Sequence, residues 1–308
     1  MPSYLRLLVF LLILTGCAPP FFEKIPEINN IEVLNSQKTS PDKFSGIAIV
    51  SHYAGKSDYI SIAQKNHIEY ANKHGYDYIF RDGNISEDLF IDRSSKTKLY
   101  QLGLYWQKIS TVKDALTQSK YKWVLWIDAD AVFTNMDIRI ESIIKNWSSD
   151  TTNFIIAKDS GTREYDCINS GVFLTRNTLW SKNFLDDITA IYPFYKDFRT
   201  PEQTALQDLI YGYVSFNLNH EASFLPMQKR SYDVSLLVPQ AKRVPSKVLN
   251  AFYIIGTPLQ SAWSMGDFIA HVAGDKNKAR DMELLLECIN SAPDKSTCSP
   301  DILLKKYY

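Results

Sequence analysis

The sequence predicts an α/β fold with a mostly parallel sheet covered by helices on both faces. Three observations predict it. Short apolar runs alternate with longer stretches of helical spacing. The alternation follows the β-α-β pattern of parallel pairing through crossover helices. The balance of 45% hydrophobic and 22% charged residues over 308 positions is that of an ordinary globular chain with room for a sizeable core.

The elements follow in order. "GIAIVSHY" (46–53) reads as a buried strand. Residues 57–76 have helical spacing, with Ile60, Ala63, Ile68 and Ala71 near one face and a stop at Gly75. "DYIF" (77–80) is a second strand, 82–97 a polar loop, and 100–119 a second helix. "KWVLWI" (122–127) is the third strand. A helix is expected around 137–147, then strands at 153–157 and 171–175.

The third strand runs straight into "DAD". Asp128 and Asp130 stand at its carboxyl end, where ligands bind in sheets of this kind. Side chains two apart on an extended segment point the same way, so two carboxylates converge on one hard cation. Ala129 leaves room for a ligand. The plainer reading is that two aspartates stop a strand and begin a turn.

The N-terminus is set apart. Arg6 precedes an eight-residue apolar block, Leu7–Leu14, too short for the roughly 20 residues that span a bilayer. Residues 1–22 have the proportions of a signal peptide, and "LTGC" is similar to a bacterial lipobox ending at Cys17; the alternative is an uncleaved anchor. Both put the folded part on the non-cytoplasmic side, as a lipid-tethered bacterial protein or, in a eukaryote, in the Golgi lumen. Residues 23–44 read as a linker, 45–280 as the catalytic domain and 281–308 as a C-terminal extension. Cys288 and Cys298 flank a short polar loop and are either a disulfide or two unrelated thiols. Lys plus Arg equals Asp plus Glu at 34 each, so no global field draws nucleic acid.

Five blocks follow one another: "WIDADAVFTN", "INSGVFLTRNTLW", "PEQTALQDLI", "VLNAF" and "GDFIAHVAG". In that order they resemble glycosyltransferase family 34, a family of galactosyl-, mannosyl- and xylosyltransferases, over roughly residues 45 to 280. The resemblance implies a GT-A fold, a Rossmann-like sheet with a metal-dependent sugar-nucleotide site. It implies transfer of a hexosyl or pentosyl residue from a nucleotide-sugar donor to a glycan acceptor, with retention of configuration. Asp128 and Asp130 match the family's D-x-D, and His271 matches the histidine of its late G-D-F-x-x-H motif. Together they would hold Mn²⁺, which accepts mixed oxygen and imidazole ligands.

The same resemblance distributes the remaining roles. Asn169, Ser170 and Gly171 would meet the donor sugar, with Gly171 permitting close backbone approach. A plain turn into a strand explains them equally well. Glu202 and Gln203 would face the anomeric centre, Glu202 standing where many relatives have aspartate. A capping box built from Thr200, Pro201 and Gln203 accounts for the same residue types. Ser51 and Tyr53 end the first strand, where base and ribose sit in this fold. Apart from the resemblance, cationic side chains would add positive charge at the diphosphate: Lys108 before the third strand and Lys276 or Lys278 after His271, Lys276 being preferred, with a solvated basic surface the plainer reading of "DKNKAR". Residues 191–198 and Trp263 would line an acceptor groove, or else belong to the core. Two other classes stand beside the enzyme. One is a membrane-anchored sugar- or nucleotide-binding protein that kept the fold. The other is a phosphoester hydrolase, disfavoured because five histidines without a clustered pair suit a second metal poorly.

Overall fold

Apolar strands with both faces buried account for the centre of the molecule. The computed structural model describes residues 46–53, 57–82, 98–159, 167–196, 198, 200–216, 221–225, 237–292 and 294–306. The signal or anchor segment, the linker, most of the 82–97 loop and Cys17 lie outside them. Among the described residues no helix is long and apolar enough to cross a membrane.

The main sheet comprises β1 (Ile47–Tyr53), β2 (Asp77–Asp82), β3 (Trp123–Ile127), β5 (Phe154–Lys158), β6 (Ile168–Arg176) and β9 (Ala241–Val244), in the order β2-β1-β3-β6-β5-β9. The sheet is parallel except at β6, which runs against both of its neighbours. Strand periodicity feeds two cores. Ala48, Val50, Val124, Trp126 and Phe173 face α2 (Lys98–Thr117), α4 (Leu179–Ala190) and α6 (Pro201–Ile210). Their neighbours Ile47, Ile49, Leu125, Ile127, Val172 and Leu174 face α1 (Asp58–His74) and α3 (Ile140–Trp147). A covered sheet of this kind has no polar face, which is why its strands read as continuous apolar runs.

A small second sheet stands at the carboxyl ends of these strands. It is formed by β10 (Ala251–Phe252), β11 (Ile269–His271) and β4 (Ala131–Phe133). β4 begins one residue after Asp130 and pairs antiparallel with β11, Ala131 opposite His271. The outer face of this sheet is closed by α8 (Lys278–Ser291) and the segment after it. Met282, Leu285, Cys298 and Leu304 are buried there with Val132 and Ala270. Cys288 and Cys298 form a disulfide that staples the end of α8 to the following turn.

Several expectations need correction. The buried face of α1 is carried by Ala63, Asn66, His67, Tyr70, Ala71 and His74, while Ile68 is exposed. The polar members are held there by the backbone beyond the third strand. Asn66 Nδ2 donates to Phe133 O, His67 Nε2 to Ala131 O, Tyr70 Oη to Ile138 O and His74 Nε2 to Met136 O. A hydrogen-bonded polar face satisfies buried carbonyls that an isoleucine face would leave bare. Gly75 does end the helix, in the left-handed conformation at φ 71°. The helix after β4 starts at Ile140 rather than near 137. Trp263 is core: its Nε1 donates to Thr134 Oγ1 at 2.9 Å and its ring meets Tyr253 edge-on. Within 191–198, Tyr195 is buried and Phe194 exposed.

Candidate active site

The D-x-D pair occupies a turn, not an extended segment. β3 ends at Ile127, Ala131 N donates to Asp128 O at 3.1 Å, and Asp128 N donates to Gly171 O at 2.8 Å. The two aspartates therefore share the site from different sides. Asp128 pairs with Lys108 of α2, and Asp130 with His271 of β11 and Lys278 of α8. Even so, ligand atoms of Asp128, Asp130 and His271 all lie within 4.8 Å of one another. Pairing places His271: Val272 N donates to Asp130 O at 3.0 Å, and His271 Nε2 meets Asp130 Oδ1 at 3.1 Å.

β6 brings its first residues to the same place because it runs backwards. Ile127, the last residue of β3, pairs with Val172, so residues 168–171 extend beyond the end of β3. Asn169 to Gly171 are thus inside a strand rather than in a turn leading to it. Ser170 is buried; its N–H donates to Gln203 Oε1 at 3.0 Å and its hydroxyl to Glu202 Oε1 at 2.9 Å. The capping box is consequently not formed. Thr200 makes no side-chain cap, and Gln203 is turned to β6 instead of back to its own helix start.

Gly171 also has a neighbour that the sequence did not point to. A Cβ there would overlap the His271 imidazole, lying 2.8 Å from Nδ1 and closer still to Cε1. The glycine makes space for the ring. His271 is seated against bare backbone, and its Nδ1 is buried without a hydrogen-bond partner.

Each carboxylate has its own ammonium. Lys108 Nζ lies 3.2 Å from Asp128 Oδ1, 3.1 Å from Glu202 Oε1 and 3.3 Å from Ser170 Oγ. Burial alone would lower its pKa, but Asp128 and Glu202 outweigh that and raise it above the ordinary lysine value. Lys278, the first residue of α8, pairs with Asp130 Oδ2. Burial would lift the Asp130 carboxyl, yet His271 and Lys278 hold it well below the usual carboxylate range. Asp128 goes the other way: burial raises it, reinforced by Asp130, and Lys108 only partly offsets this. Trp126 Nε1 donates to Asp128 Oδ1 at 2.7 Å.

The remaining expected residues are placed as follows. Tyr53 ends β1 and meets Tyr59 edge-on at 5.7 Å, and Tyr59 in turn lies under Lys278. Ser51 is fully buried in β1. Lys276 is exposed, and of the two late lysines it is Lys278 that pairs with Asp130. Sequence reasoning missed Tyr59, Trp126 and Asn250. Asn250 is buried and donates from Nδ2 to Asn169 Oδ1 at 2.7 Å, which also accepts from Gly171 N at 2.9 Å. Its signal was its place within "VLNAF", a motif that carried no assigned role.

Comparison with known proteins identifies a family and a shared fold. The profile described as the galactosyl transferase GMA12/MNN10 family matches residues 45–282. Galactomannan galactosyltransferase 1 of Cyamopsis tetragonoloba is 27% identical over 143 residues, covering 45% of this chain and 28% of that protein. Xyloglucan 6-xylosyltransferase 4 of Arabidopsis thaliana is 28% identical over 131 residues, covering 42% and 23%. The chain spans about a quarter of the length of the curated relatives it matches. A solved glycosyltransferase involved in the glycosylation of the major capsid of PBCV-1 superposes with a TM-score of 0.55 at 16% identity, over 77% of this chain and 98% of that one, which shows a shared fold.

Proposed function

The chain belongs to the galactosyl transferase GMA12/MNN10 family and has the GT-A glycosyltransferase fold, and on that premise we propose that it is a metal-dependent, retaining glycosyltransferase. It moves a hexosyl or pentosyl residue from a nucleotide-sugar donor to a glycan acceptor. The observation that carries this is the convergence of Asp128, Asp130 and His271 at the carboxyl ends of the sheet strands.

The donor set fits a divalent metal such as Mn²⁺. It combines two carboxylates with an imidazole whose Nδ1 has no partner among the described residues. Such an ion stabilises the charge that a departing nucleoside diphosphate gains. The chain's own groups do the rest. Lys108 holds Asp128 and Glu202 together by ion pairs in a buried site. Ser170 orients Glu202 and Gln203 through its hydroxyl and its N–H. With its amide oxygen engaged by Ser170, Gln203 offers its amide nitrogen to the sugar's reacting face. Asn169, steadied by Asn250, offers its amide to the donor hydroxyls. Tyr53 and Tyr59 provide an aromatic edge for the nucleotide beside β1.

The same reading places the protein at a membrane, on the non-cytoplasmic side. The support is the signal-like sequence of residues 1–22 and the Cys288–Cys298 disulfide, a bond that persists in oxidising compartments. The test of the retaining assignment is NMR of the transferred sugar. An anomeric configuration matching the donor's is expected, and inversion would overturn it.

A further inference from the structure

The two ammonium groups of the site are held differently. Lys108 is enclosed by Asp128, Glu202 and Ser170, and its side chain is 5% exposed. Lys278 is tethered at one point, Asp130 Oδ2, with its ammonium 5.4 Å from the centre of the Tyr59 ring and its side chain 23% exposed. It also stands in the first turn of α8, where the helix dipole disfavours a cation. Asp130 accounts for its position; the helix does not.

Asp130 is thereby occupied on both oxygens, Oδ1 by His271 and Oδ2 by Lys278. It is also one of the three groups that converge on a common point. A divalent cation at that point and an ammonium at ion-pair distance from the same carboxylate repel each other strongly in a buried site. Lys108 has no route away from its cage. Lys278 has a flexible stem and an exposed flank.

Resting on the metal-dependent reading above, we propose that Lys278 is a stand-in cation. It neutralises Asp130 in the metal-free protein, leaves it when Asp128, Asp130 and His271 take a divalent metal, and then pairs with the donor diphosphate. The charges favour this order. Asp128, Asp130 and Glu202 against Lys108 and Lys278 leave one net negative charge. A divalent ion makes the site net positive, and the diphosphate returns it to negative. Lys278 is therefore a positioning residue that couples metal binding to donor binding and discourages either from binding productively alone.

The test is Mn²⁺ binding by the purified full chain, followed through the EPR signal of the free ion, with and without UDP or GDP. Wild type, Lys278→Met, Lys278→Gln and Lys278→Arg are compared. Without nucleotide, the Met and Gln variants are expected to bind Mn²⁺ about tenfold tighter than wild type, and the Arg variant to stay within about threefold of it. Saturating nucleotide should tighten Mn²⁺ binding by about tenfold or more in wild type and by less than about threefold in the neutral variants. Unchanged or weaker Mn²⁺ binding in both neutral variants without nucleotide overturns the swap alone. Absence of Mn²⁺ binding by wild type, with either nucleotide or none, overturns the metal-dependent reading and the swap with it.

Discussion

His67 Nε2 donates to the carbonyl oxygen of Ala131 at 2.8 Å, one residue past the second aspartate of the site. Its other ring nitrogen lies 3.3 Å from Tyr78 Oη, which donates to it. A fully buried neutral imidazole on α1 thus pins the turn that carries Asp128 and Asp130. Asn66 continues the work by exchanging hydrogen bonds with both backbone groups of Phe133, at 2.9 and 2.7 Å.

Replacing His67 with alanine leaves a cavity and an unsatisfied buried carbonyl. A loss of about 3 kcal/mol of stability is expected, read as a lower urea midpoint at pH 7.5. Mn²⁺ affinity should also fall, because the turn loses its anchor.

The same histidine gives the protein an acid-sensitive stability. Burial pushes its pKa down to about 4 from the ordinary 6.5. As pH falls below about 6.5 the unfolded chain takes up the proton first, so stability drops through the window from 6.5 to 4. Below 4 the folded chain is protonated too and this contribution stops changing. Urea midpoints measured across that window should decline, and His67→Gln should remove on the order of 3 kcal/mol of the decline.

Gly171→Ala would push a methyl group into the His271 ring. Displacing one of three ligand candidates should weaken Mn²⁺ binding and donor turnover by about 10- to 100-fold, with a stability loss of about 1–3 kcal/mol from overpacking. Calorimetric metal titration beside a thermal melt separates the two effects.

Reducing the Cys288–Cys298 disulfide should cost about 2–3 kcal/mol, given the short loop it closes. Denaturation with and without a phosphine reductant measures this. Because α8 carries Lys278 at its other end, nucleotide affinity is expected to fall by a smaller factor than stability alone would suggest.

Much of this was legible in the sequence, and the gaps have physical causes. The continuous apolar runs at 47–50 and 123–127 and the Gly75 stop announced the sheet and its first helix. The short strand at 131–133 did not, because it merges with the apolar run around the aspartates and owes its existence to pairing with 269–271. The buried face of α1 was legible only in part: Ala63 and Ala71 lie on it as expected, but no periodicity of hydrophobic residues reveals Asn66, His67 or His74. Asp128, Asp130 and His271 were found through motif order. The partners of the two aspartates, Trp126 and Lys278, and Asn250, which holds Asn169, depend on side-chain directions that spacing does not encode. Gly171 was flagged for its missing Cβ, but its closeness to His271 was not legible, because the placement of β6 against that ring exists only in three dimensions.

The most direct test of the central claim is donor hydrolysis by the purified full chain. UDP-galactose, UDP-glucose, UDP-xylose and GDP-mannose are each supplied with Mn²⁺ or with chelator, beside an Asp130→Ala control. Release of nucleotide from one donor, dependent on Mn²⁺ and reduced at least about 100-fold in the control, is the predicted result. Equal turnover with chelator, or in the Asp130→Ala protein, would contradict a metal-dependent transferase built on Asp128, Asp130 and His271.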